Sequence, residues 1–91
     1  MTQTHFVRET GYAGVRCEGI FEFAHGGEIR MERLLVKSTN EEEIRFSWWK
    51  DGKFITRPMH ATEEQLLALF KDGIEKDVLT LNFRQRLKRL L

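Results

Sequence analysis

The sequence predicts an α+β domain: an antiparallel meander of about five strands over residues 3–57, then one or two C-terminal helices packed on one sheet face. Three observations carry this. Apolar residues recur at every second position up to the single proline, Pro58, and at helical spacing after it. Asp51-Gly52, set between two apolar runs, is the preferred residue pair for a type I′ hairpin turn. Thr62-Glu63-Glu64-Gln65, just beyond the proline, has the form of a helix capping box.

The elements follow in order. Residues 3–9 make a short, weakly patterned strand around Phe6 and Val7, and Gly11 and Gly14 bracket a turn. Val15, Cys17, Gly19, Phe21 and Phe23 then alternate with Arg16, Glu18 and Glu22, which predicts one dry face and one wet face. His25-Gly26-Gly27 is the next turn, where glycine supplies positive φ. Ile29, Met31 and Leu35 share one face of the following strand, but Leu34 and Val36 fall on the other. Either a bulge near Glu32-Arg33 resets the register, or this strand is covered on both sides. Ser38-Thr39-Asn40 starts a turn that Glu41-Glu42-Glu43 keeps solvated.

The clearest hairpin runs from Glu43 to Arg57. A two-residue loop sets Lys50 opposite Lys53, Trp49 opposite Phe54 and Trp48 opposite Ile55. One face then carries Ile44, Phe46, Trp48 and Ile55, and the other Arg45, Ser47, Trp49, Phe54 and Thr56. After the capping box, Leu66, Leu67, Phe70 and Ile74 form an apolar stripe, and Gly73 either ends this helix or is tolerated within it. A second helical pattern starts near Leu81. It has Phe83, Leu87, Leu90 and Leu91 on one face, and Arg84, Arg86, Lys88 and Arg89 on the other.

A chain of 91 residues predicts a single domain over residues 1–91, able to bury roughly 60–65% of its unfolded surface. Its 41% hydrophobic content and net charge of +1 argue against disorder. No apolar run approaches a membrane span, and Met1-Thr2-Gln3-Thr4-His5 lacks the pattern of a signal peptide. A lone cysteine excludes an internal disulfide and a multi-thiolate zinc site, so a cytoplasmic protein without a membrane partner is expected.

The residues predict no enzyme. Cys17 lies mid-strand with no histidine at local spacing, the pattern of a small buried hydrophobe rather than a nucleophile. His5, His25 and His60 are too scattered to spell a metal site, and Glu41-Glu42-Glu43 has no paired ligand set. Gly26-Gly27 lacks the lysine and following helix of a phosphate loop. No metal and no cofactor are expected.

What remains is a non-catalytic binding module. Residues 1–44 hold five cations against eight acids, and residues 45–91 hold ten against six. The basic half contains the expected aromatic pair, Trp49 and Phe54, among Arg45, Lys50, Lys53 and Arg57. Rings that stack on bases beside cations that follow phosphates are the equipment of a single-strand binder or a nucleotide site. Alternatively, that face is covered by a helix, by the strand bulge or by a second subunit. The chain is then a protein–protein interaction or regulatory factor of the accessory or phage type, without nucleic-acid binding. A protein partner would use the basic helix through Arg84, Arg86, Leu87, Lys88, Arg89 and Leu90. A homo-oligomer, a dimer, is expected in either case, because a small chain with surplus aromatic and leucine surface gains stability by pairing.

Residues 44–74 combine an aromatic strand ending in Trp48-Trp49, the Asp51-Gly52 turn, a basic return strand through Lys53 and Arg57, and a helix opening at Thr62-Glu63-Glu64-Gln65. This third of the chain resembles the positive-cofactor-four type of transcriptional coactivator. The resemblance implies an antiparallel sheet followed by a helix, a dimer, and single-stranded DNA bound across the sheet. The chain differs from that pattern in its net charge of only +1 and in the further helical stretch from Leu81.

Overall fold

The structure is a computed structural model that describes residues 5–91. Five strands form one antiparallel sheet: β1 (Arg8–Glu9), β2 (Ala13–Glu22), β3 (Glu28–Val36), β4 (Glu41–Lys50) and β5 (Lys53–Ile55). Their order in space is their order in the chain, so the sheet is the expected meander. Two helices follow, α1 (Glu63–Glu75) and α2 (Leu81–Leu90). The α+β class is therefore as the sequence predicts. The first expected strand began at Gln3, and Gln3 and Thr4 lie outside the described residues; of the rest, only Arg8 and Glu9 are strand, paired with Val15 and Gly14.

The β4–β5 hairpin has the register read from its turn: Lys50 opposite Lys53, Trp49 opposite Phe54 and Trp48 opposite Ile55. Asp51 and Gly52 both take positive φ, as a type I′ turn requires. Upstream, one expectation is corrected. Glu41, Glu42 and Glu43 are not a solvated turn. They open β4, opposite Val36, Leu35 and Leu34. Of the two readings of β3, cover on both sides is the one found, and the register break lies in β2. Val15 faces Leu34 and Cys17 faces Arg33, so one extra residue, Arg16, bulges between them. Because neighbouring strand residues point oppositely, the bulge turns Val15 away from Cys17, Gly19 and Phe21. Val15 joins Ala13 and Leu34 in a small cluster on the face opposite the helices.

The main core lies on the helix face. Ile29 and Met31 of β3 pack with Leu69 of α1 and with Val78 and Leu79 of the segment joining the helices. Cys17, Phe21, Phe23 and Trp48 pack around them. The sheet and α1 meet backbone to backbone at two glycines. A Cβ on Gly19 would sit 2.5 Å from the Gly73 nitrogen. The β2 edge beside this contact has no neighbouring strand, and the Ile20 N–H donates to the Asp72 carboxylate at 2.7 Å instead. That hydrogen bond is the main reason the Asp72 carboxyl is held below its ordinary value.

The capping box forms as read, with Gln65 N donating to Thr62 Oγ1 and Thr62 N to Gln65 Oε1. The buried edge of α1 differs from the expected stripe. Leu69 and Gly73 are buried, whereas Leu66, Leu67 and Ile74 are exposed. Gly73 does not end the helix. The chain leaves α1 through Asp77 at φ 60°, with Val78 N donating to the Gly73 carbonyl and Asp77 N to that of Ile74. This is a Schellman closure with aspartate where glycine is usual. Thr80 then caps α2, its hydroxyl accepting from Phe83 N. Only α1 packs on the sheet, over β2 and β3. Among the described residues, α2 rests on no other element and buries no residue. Of the one or two helices expected on the sheet face, it is one that packs there.

Candidate functional site

Three regions hold the candidate residues. The first is the sheet face opposite the helices. In the β3–β4 register Glu32 lies opposite Arg45 and Arg30 opposite Ser47. Glu32 is fully buried. Its Oε1 accepts from Arg45 Nε at 2.9 Å and from Ser47 Oγ at 2.7 Å, and its Oε2 accepts from Arg45 Nη2 at 3.1 Å and from Arg8 Nη2. Arg8 continues to Glu18 at 2.8 Å. Trp49 Nε1 donates to Ser47 Oγ at 2.8 Å, while the Arg30 guanidinium lies 4.1 Å from the Trp49 ring centroid and that of Arg8 5.3 Å. Phe54 meets Trp49 edge to face at 5.5 Å.

This network decides what the face can do. Burial alone would push the Glu32 carboxyl up. The hydrogen bonds from Arg45 and Ser47 and the charges of Arg45 and Arg8 overcome it and hold the group below its ordinary value of 4.5. Glu32 is thus an ionised anchor without solvent access, not an acid or base. A depressed carboxylate stabilises the fold fully above its unfolded value, and that contribution is lost as pH falls from 4.5 through the lower folded value. Urea midpoints measured from about pH 6 to about pH 3 are therefore expected to fall less steeply for Glu32→Gln than for the wild type. Parallel acid limbs would show that Glu32 titrates alike in both states.

The six candidate ligand residues do not converge. Arg45 and Trp49 belong to the Glu32 network, and Phe54 lies over it, 5.9 Å from the Arg45 guanidinium. Lys50 and Lys53 face each other at the exposed hairpin tip. Arg57 stacks on Trp48, at 5.4 Å, on the helix side of the sheet. There a second region opens, a cleft of about 400 Å³ lined by Phe23, His25, Trp48, His60 and Gln65. His25 stacks on Phe23 at 5.2 Å and His60 meets Trp48 edge-on at 6.1 Å. Sequence reading missed Glu32, Arg8 and Arg30. The one available signal was the opposite charge at Glu32 and Arg45, which becomes visible only once the β3–β4 register is known.

The third region is α2 and the surface beside α1. Phe83, Leu87 and Leu90 line one side of α2, and Arg84, Arg86, Lys88 and Arg89 occupy its flanks with no acid in the helix. All six candidate partner residues are therefore on an element free of its own domain. Among the described residues, no group of three or more His, Cys, Asp or Glu is placed to hold a metal ion. Burial pushes the Cys17 thiol up, and its Sγ donates to the Asp77 carbonyl at 3.6 Å, so it is a poor nucleophile. No described helix is long and apolar enough to cross a membrane.

No family model matches the chain, and neither a curated protein nor a solved structure matches it.

Proposed function

We propose that this protein is a non-catalytic protein-interaction module that docks through α2. One observation carries the proposal: a basic amphipathic helix packs on no other element and leaves much of its apolar stripe open, Leu90 being 81% exposed, Phe83 47% and Leu87 half-buried between them. Helices of this kind lay their apolar side into a partner's groove while their cations meet acids at its rim. The occupied state of Trp49 also favours this reading, since a base would have to displace the guanidinium already stacked on the ring.

Binding of single-stranded nucleic acid is the second reading. It draws on the exposed Phe54 ring, the hairpin lysines and the coactivator-like stretch 44–74. One experiment separates the two. Immobilised wild-type chain and a Leu87→Glu/Leu90→Glu variant are compared for retained proteins, and Trp fluorescence is titrated with a short single-stranded oligonucleotide at low salt. Protein kept by the wild type and lost by the variant, whether another protein or free copies of this chain, with unchanged fluorescence, is expected. Saturable quenching that salt abolishes, with no protein dependent on α2, would replace the proposal with nucleic-acid binding.

A further inference from the structure

We infer that this protein pairs with a second copy of itself, α2 of each copy lying in the apolar groove between α1 and β4 of the other. This rests on α2 being the docking element and names its partner. The groove follows from how α1 is seated. The Gly19–Gly73 contact fixes α1 over β2 and β3, so on the helix side of β4 Trp48 packs on the core, Phe46 meets only the edge of α1 through the Phe70 ring at 6.1 Å, and Ile44 is left open. Ile44 and Phe46 are left as a floor, 37% and 44% exposed, and Leu67, 64% exposed, stands on the wall. A cavity of about 410 Å³ is lined by Glu63, Glu64, Leu66, Leu67 and Phe70 of α1, and it adjoins β4 through Phe70, whose ring meets that of Phe46.

Charge selects the occupant. The groove is apolar with Glu63 and Glu64 at its end, and α2 is apolar with four cations and no acid. Among the described residues, neither those two glutamates nor those four cations enter a salt bridge. Each surface supplies what the other lacks. Within one chain they are kept apart, because the segment before α2 is pinned. Val78 and Leu79 are buried, and Arg33 Nε donates to the Val78 carbonyl at 2.7 Å. Size agrees as well. Ten helical residues span about 15 Å, within the about 20 Å of α1. Reciprocity closes the assembly at two copies through a two-fold axis.

The test is light scattering on the whole chain, eluted at about 100 µM protomer, with two single variants and their mixture. Leu87→Glu spoils the helix, and Leu67→Glu spoils the groove. Neither side chain is buried, so circular dichroism should show both variants folded. The wild type is expected at twice 10.8 kDa, and each variant as a monomer with dissociation raised at least about tenfold. An equal mixture of the two is expected to associate more than either variant alone, because a mixed pair retains one of the two helix-in-groove contacts intact and neither variant alone retains any. A monomeric wild type overturns self-pairing, and docking on a different protein is then judged by the immobilised-chain experiment alone. A wild-type dimer that either variant leaves intact overturns the helix-in-groove arrangement, as does a mixture that associates no more than either variant alone.

Discussion

Gly19→Ala is expected to destabilise the protein by about 3 kcal/mol, the upper part of the usual range for overpacking. For a domain of this size that lowers Tm by roughly 12–24 °C. The added methyl would lie 2.5 Å from the Gly73 nitrogen, 2.6 Å from its Cα and 3.0 Å from the Asp72 carbonyl carbon. All three are backbone atoms of one helix, so no rotamer change relieves the clash. The whole of α1 must lift. Lifting it stretches the Ile20–Asp72 hydrogen bond and loosens Leu69 from Ile29 and Met31. Gly73→Ala is the informative contrast. Its methyl would meet Met31 Sδ at 2.6 Å, a flexible side chain. Alanine also favours a helix interior by about 1 kcal/mol over glycine. A net loss of about 1 kcal/mol is expected there. Urea denaturation of the two variants checks the order. Equal losses would mean that the helix is not seated on Gly19.

Glu32→Ala is expected to cost about 3–5 kcal/mol, because it leaves two part-buried guanidinium donors and a buried hydroxyl without their acceptor. Arg45, Arg8 and Ser47 all donate to the one carboxylate. Arg8 and Arg45 are each about one-third exposed, so water recovers part of the loss and the lower end of that range is the better expectation. The damage should also reach Trp49, whose indole N–H is held by Ser47. A shift in Trp fluorescence should therefore accompany the fall in stability. Glu32→Gln keeps two hydrogen-bonding positions and should lose less. If both variants melt with the wild type, the network contributes nothing and its arginines are equally well served by solvent.

Much of the fold was legible because its signals are local. The Asp51-Gly52 pair set the β4–β5 register to the residue, since two positive φ values in a two-residue loop leave one pairing. Thr62 and Gln65 located the start of α1 within a single turn. Leu34 and Val36 signalled that β3 is covered on both faces, which it is. The candidate site was less legible. Trp49 and Arg45 were picked out by type and position, yet their partners Glu32, Arg8 and Arg30 come from strands far along the chain. Leu66, Leu67 and Ile74 were expected to be buried because periodicity names a stripe without saying which part of it meets the sheet.

The sequence by itself determined the order of strands then helices, the hairpin turn, the helix cap and the amphipathic character of α2, because each depends on residues within a few positions of one another. Tertiary structure alone decided the bulge at Arg16, the seating of α1 on two glycines, the burial of Glu32 and the exposure of α2. Each is settled by residues far apart in the chain, not by any local pattern: the pairing of β2 with β3 sets the bulge, the missing side chains of Gly19 and Gly73 seat α1, the β3–β4 register brings Arg45 and Ser47 to Glu32, and the pinned Val78-Leu79 segment directs α2.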